Sequence, residues 1–178
     1  MRLYSFFRIR LEPYQNLKQR KGNNLGDPRF DKYAMLRENY VEADSHWAST
    51  YRHILLARDL LREKGIDFWL TTYPYGLQVH PKEWSMGRDY WQFKRDTVYS
   101  TWPQEKLGRW AASQEIRFID FSPKFKELSK KVFPIFYDIN GHWLAVGHEL
   151  VSDALFEELQ PYFLHKVDSL GRRTAAQK

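Results

Sequence analysis

The chain has 178 residues, with 28 Lys and Arg against 22 Asp and Glu, no cysteine and 17% aromatic residues, a composition that predicts a globular domain working without a cofactor. Zero cysteine excludes a disulfide framework, thiol catalysis, iron–sulfur centres and cysteine-based zinc sites, and the six histidines show no ligand-type spacing, so no metal is expected. No window reaches the roughly 18 uncharged apolar residues of a membrane span; Arg8 and Arg10 break the apolar start, so no export signal is read and a cytoplasmic location is the default.

The net charge of +6 is concentrated at the ends. Residues 1–32 carry eight basic and three acidic side chains, and residues 165–178 carry four and one, leaving the middle slightly acidic. A nucleic-acid-binding domain gathers Lys and Arg on one folded face among stacking aromatics. Terminal charge favours solubility or weak surface adsorption instead, and no specific nucleic-acid partner is expected.

In chain order, Leu3, Phe6, Phe7, Leu11 and Tyr14 fit a short basic amphipathic helix near the start, with Lys21 to Pro28 a loop by turn chemistry. Residues 30–48 show no sustained period. Ser49 or Thr50 can cap a helix with apolar positions Tyr51, Ile54, Leu55, Ala57 and Leu61, closed at Gly65. Ile66–Tyr73 reads as a strand. The aromatic segment that follows, through Trp84, Tyr90, Trp91 and Phe93, has no strong period and reads as a long loop. A helix is expected over 103–114, a strand over 116–121 and a short helix from Pro123 to Lys131. Val132–Tyr137 is a further extended run. The last helix should begin at Trp143 or Leu144 and stop ahead of Pro161.

Alternating helices and strands predict a three-layer α/β/α fold with a parallel sheet. The expected organisation is an N-terminal amphipathic and loop segment over 1–48, an α/β domain over 49–164 and a disordered basic tail over 165–178. Reactive groups in such sheets sit beyond the carboxyl ends of the strands, so the loops after residues 73, 121 and 137 should share one rim. They contain Tyr73, Tyr75, Gln78, His80, Trp84, Ser122, Asp138, Asn140, His142 and Trp143. A carboxylate a few residues before a histidine can hold one ring nitrogen and leave the other to accept a proton. Ser85 lacks the strand-to-helix elbow that exposes a nucleophile and reads as structural, and His148 falls inside a helix.

Phe133-Pro-Ile-Phe-Tyr-Asp-Ile-Asn-Gly-His-Trp-Leu-Ala-Val-Gly-His, continuing to Leu155, resembles the C-terminal catalytic block of the SGNH (GDSL-like) hydrolases, with Gly141-His142-Trp143 and Gly147-His148 matching its layout. Residues 65–78 and the helix before them are similar to the elements preceding that block. The resemblance covers residues 49–160 and implies a flavodoxin-like sheet, incomplete on its N-terminal side, and serine-type hydrolysis of a small-molecule or carbohydrate ester. His142 is then the base and Asp138 its partner, with Tyr73, Tyr75, Gln78, Trp84, Asn140 and Trp143 as binding residues of the rim. No Gly-Asp-Ser or Asn-Asp block is present, so the resemblance implies a serine supplied by a missing N-terminal half. Where the shorter family pattern has its acid, two residues before the histidine, this chain has Asn140. The alternative is a catalytically inactive hydrolase-like domain that binds a ligand through the aromatic segment 73–93.

Overall fold

The computed structural model describes residues 36, 44–138 and 140–175. The helix expected near the start and the loop up to Pro28 lie outside the described residues. Eight elements follow in order: α1 (Asp44–Glu63), β1 (Trp69–Thr72), α2 (Gly76–Val79), α3 (Ser85–Trp91), α4 (Trp102–Ser113), β2 (Arg117–Asp120), α5 (Ser122–Ser129) and α6 (Ala145–Ala175).

α1 begins ahead of the Ser49 or Thr50 cap but ends as the sequence predicts. Gly65 takes a left-handed conformation at φ 67°, and the Ile66 amide returns to the Leu61 carbonyl at 2.9 Å, closing the last turn in the manner that favours glycine. α4 ends with the same closure, Ile116 N–H to Ala111 O at 2.9 Å, but the left-handed position there belongs to Glu115 at φ 56°. A side chain in that region costs about 1 kcal/mol that glycine avoids. Glu115→Gly is therefore expected to stabilise the protein by about 0.5–1 kcal/mol, read as a higher denaturant midpoint at unchanged slope; a lower midpoint would contradict it.

β1 and β2 pair in parallel, Trp69 opposite Arg117 and Thr71 opposite Ile119. Side chains alternate across a strand, so Trp69, Thr71, Arg117 and Ile119 share one face. α6 lies on that face: Ile119 joins Val151 and Ala154 in the main core with Phe121, Phe125, Ile135 and Phe136, and Trp69 meets Tyr162 edge to face at 5.5 Å. On the other face Phe118 packs on α4, where a Cβ at Gly108 would come within 2.9 Å of its ring. Burying each large core side chain contributes roughly 1.5–3 kcal/mol. A second cluster gathers Leu36, Leu77, Trp84, Phe93 and Tyr99.

Three expectations change. The aromatic segment after β1 is not one long loop, because α2 and α3 form within it. Residues 132–137 do not extend the β1–β2 sheet; Phe136 forms an antiparallel bridge with Trp143 instead. The cause lies in Glu83, whose buried carboxylate accepts the amides of Ile135 at 2.5 Å and Phe136 at 3.2 Å, groups a neighbouring strand would otherwise use. Finally, α6 does not stop before Pro161 but continues to Ala175, into the stretch expected to be a tail. Beyond the proline, the Tyr162 hydroxyl and the Lys166 ammonium both bond Asp67, and Arg117 lies over the Trp69 and Tyr162 rings at 4.9 and 4.5 Å. These contacts hold the helix where Pro161 has removed one backbone donor. Lys166 keeps the Asp67 carboxyl below its usual range and is itself raised in return.

Candidate functional site

The loop after β1 and the loop 137–143 come together beyond the carboxyl ends of the strands. Tyr73 meets Trp143 edge to face with centroids 4.7 Å apart, and Tyr75 stacks on Trp84 at 6.2 Å. Gly141 approaches the same indole, where a Cβ would lie 3.3 Å from its nitrogen. Loop 137–143 is closed by Tyr137 N–H to His142 O at 2.8 Å and Gly141 N–H to Tyr137 O at 3.1 Å.

Asp138 is held from outside its own loop. Its carboxylate accepts the Ser85 amide at 2.5 Å, the Ser85 hydroxyl at 2.8 Å and the Met86 amide at 3.3 Å, while its carbonyl accepts Gly87 N–H at 3.2 Å. These are the unsatisfied donors at the start of α3, which a carboxylate caps well. The turn into α3 is left-handed at Trp84, φ 58° and ψ 44°, and folds the indole back over Gly87, where any side chain would overlap it at 2.0 Å. Ser85 is exposed beside an open cleft of about 440 Å³ that includes Lys82, Asp89 and Arg95.

His142 is exposed. Its amide donates to Asn140 Oδ1 at 3.1 Å, so Asn140 shapes the turn leading to the histidine. Among the described residues, every hydrogen bond to the Asp138 carboxylate comes from Ser85 or Met86. His148 is exposed on the first turns of α6 and packs its ring against Trp143 at 5.2 Å.

Of the expected binding residues, Tyr73 and Tyr75 face solvent with 52% and 37% of their surface exposed, whereas Trp84 is 2% exposed and Gln78 is fully buried. Trp84 and Gln78 therefore support the rim from behind. Gln78 accepts the Tyr75 amide at 2.9 Å, donates to Ser100 O at 2.7 Å and exchanges hydrogen bonds with Gln104 at 3.0 and 3.1 Å; Gln104 also donates to Tyr73 O at 3.3 Å. Ser122 is buried at the start of α5, and its hydroxyl has no hydrogen-bond partner among the described residues. His80 packs against Phe133 with the rings tilted and centroids 5.0 Å apart; burial, with Lys82 and Arg88 nearby, holds its pKa below the usual value.

Sequence reasoning missed the two buried charges under this rim. Glu83 is held above its usual carboxyl range, chiefly by burial, although the Ile135 and Phe136 amides oppose the shift. Arg88 is buried too, and burial pulls it below its ordinary value. The visible signal is a Glu and an Arg, in Glu83-Trp-Ser-Met-Gly-Arg88, set within the aromatic-rich segment 73–93.

The chain is thus a mixed α/β unit on a two-strand parallel pair, carrying an aromatic and histidine-bearing rim at the strand ends. No protein family, curated protein or solved structure matches it. Among the described residues, no helix is long and apolar enough to cross a membrane, and no group of three or more His, Asp or Glu side chains is placed to hold a metal.

Proposed function

We propose that this chain is an SGNH-hydrolase-like domain, the C-terminal part of an ester hydrolase with a three-layer, flavodoxin-like core. The observation that carries the reading is the meeting of loop 73–75 with loop 137–143 beyond the carboxyl ends of a parallel pair, with His142 exposed in the second loop. α6 and α4 on opposite sheet faces support the layered core. A serine from outside this chain attacks the ester carbonyl, and His142 takes its proton and returns it to the departing alcohol. Asp138 acts through position: by capping α3 it fixes the loop that presents His142.

The test is fusion of a Gly-Asp-Ser-bearing half from an intact SGNH hydrolase, assayed for p-nitrophenyl acetate hydrolysis. Turnover should appear, and His142→Gln should lower kcat by about 10²–10⁴-fold without moving the thermal midpoint. Asp138→Ala should lower both kcat and stability, the latter by about 1–2 kcal/mol for a lost cap. A fusion without turnover, or turnover indifferent to His142, removes the enzymatic reading. A second reading, an inactive hydrolase-like binding domain, is favoured by the full engagement of Asp138 with α3 and by the solvent-facing tyrosines.

A further inference from the structure

α6 turns an apolar stripe to solvent on both sides of Pro161. Phe156, Phe163 and Val167 are 64%, 56% and 66% exposed. At about 100° per residue, these positions fall within about 40° of one another around the helix, with half-buried Leu159 at their edge. Val151 and Ala154, which enter the core, lie on the opposite side. Beside the stripe an open groove of about 460 Å³ runs between α6 and the sheet, its walls including Ile66, Trp69, Leu155, Leu159 and Phe163. Protruding rings and a recess thus share one patch, the self-complementarity that a two-fold contact requires. The second half of the helix is held in place, because Tyr162 and Lys166 bond Asp67 and Arg117 covers the Tyr162 ring. A helix fixed before it meets a partner loses little freedom on binding.

Charge along the helix identifies the occupant. Residues 145–160 hold Glu149, Asp153, Glu157 and Glu158 and no Lys or Arg, whereas residues 161–175 hold Lys166, Arg172 and Arg173 against Asp168 alone. An antiparallel copy of α6 sets each acidic half against a basic half; a parallel copy sets like against like. The basic N-terminal residues 1–32 complement the acidic half only, and an anionic membrane surface complements the basic half only. A second copy meets both ends with opposite charge.

We propose that this face is a self-association site, at which two copies of the chain pair through α6 as an antiparallel two-fold dimer. Setting Phe156 opposite the partner's Val167 places Gln160 opposite the partner's Phe163 at the axis. Glu149 and Asp153 then meet the far end of the partner helix, the stretch that holds its two arginines. The groove lies toward the amino end of β1 and the rim beyond its carboxyl end, so self-association is independent of the hydrolase reading and its failure would leave that reading untouched.

Sedimentation equilibrium of the full chain, from low micromolar to submillimolar concentration, should show a monomer–dimer equilibrium. Phe156→Glu and Val167→Lys should each weaken it by at least about tenfold. Circular dichroism checks that helix content is kept; should Phe156→Glu lose the fold, Val167→Lys, past the core-packed part of α6, decides. Orientation is read by disulfide mapping, since the chain has no cysteine of its own. Oxidation should cross-link Gln160→Cys, near the axis, but not Asp153→Cys, whose two copies stand about 25 Å apart along an antiparallel pair. A full chain that stays monomeric at the highest concentration overturns the proposal, as does a dimer indifferent to both charge substitutions or one that Gln160→Cys does not cross-link. Cross-linking of Asp153→Cys as readily as Gln160→Cys would mean a parallel pair and overturns it too.

Discussion

Arg88→Lys is expected to destabilise the protein by at least about 4 kcal/mol, a large part of the net stability of a domain this size. The Arg88 Nε donates to Glu83 O at 2.8 Å, one terminal nitrogen to Lys94 O and Thr97 O at 2.9 and 2.8 Å, and the other to Leu77 O and His80 O at 3.3 and 3.1 Å. All five guanidinium donors are thus committed to carbonyls, gathering α2, the turn into α3 and the segment after it around one side chain. A lysine has three donors on one nitrogen and cannot span those positions. Buried carbonyls would lose partners at about 1–3 kcal/mol each. Guanidinium denaturation measures the loss; a change below about 1 kcal/mol would show that these carbonyls do not depend on the guanidinium. Arg88→Met should be at least as damaging, since it fills space but supplies no donor.

Glu83→Ala should have the next largest effect, a loss of about 2–5 kcal/mol, because two buried amides at Ile135 and Phe136 lose their only described acceptor. The same group sets a pH dependence. Its carboxyl is held above the usual value in the fold, so folding strengthens proton binding. The stability linked to that shift is present below the ordinary glutamate range and is lost as pH rises through the folded-state value. Glu83→Gln should flatten this slope, at some cost from an amide nitrogen facing backbone donors. Stability curves in urea across that range read the difference; identical pH slopes in the two proteins would mean that Glu83 does not titrate differently on folding. His80 slopes the other way, since its depressed pKa favours the neutral ring and acidification through the histidine range weakens the fold.

The two opposite buried charges are not hydrogen-bonded to each other through their side chains. Arg88 is satisfied by carbonyls and Glu83 by amides, so each is solvated by backbone dipoles. That arrangement explains which parts of the fold were legible in sequence. The end of α1, with β1, β2, α4 and α5, follows from local period, Pro at a helix start and the glycine closure at Gly65, all read within a few residues. α2 and α3 have no such pattern. They are short, aromatic-rich and held by Arg88, whose partners are backbone carbonyls without a residue signature. The run 132–137 has strand-like composition, but the acceptor that diverts it lies more than fifty residues earlier. α6 passes Pro161 because Asp67, far away in sequence, anchors Tyr162 and Lys166.

The rim shows the same division. Alternation of helix and strand predicts the loops after residues 73 and 137 on one rim, and Tyr73 does meet Trp143 there, but 132–137 is not a strand of the sheet and loop 137–143 is shaped by the Phe136–Trp143 bridge instead. The partner of Asp138 was not legible, because the nearest histidine in sequence is four residues away whereas Ser85 reaches it only through the left-handed turn at Trp84. Gln78 and Trp84 carry no local mark of burial, since a glutamine in an aromatic segment suits either a ligand or a neighbouring amide.

That neighbouring amide gives the rim one property its charged surroundings lack. Gln78 and Gln104 join the backbones of Tyr73 and Tyr75 through groups that neither gain nor lose a proton in the working range of a protein. Glu83 and His80 respond to acidity and govern whether the segment stays folded. The spacing of the two tyrosine backbones is set by a joint blind to pH, so while the domain is folded it should hold steady across conditions in which the stability changes.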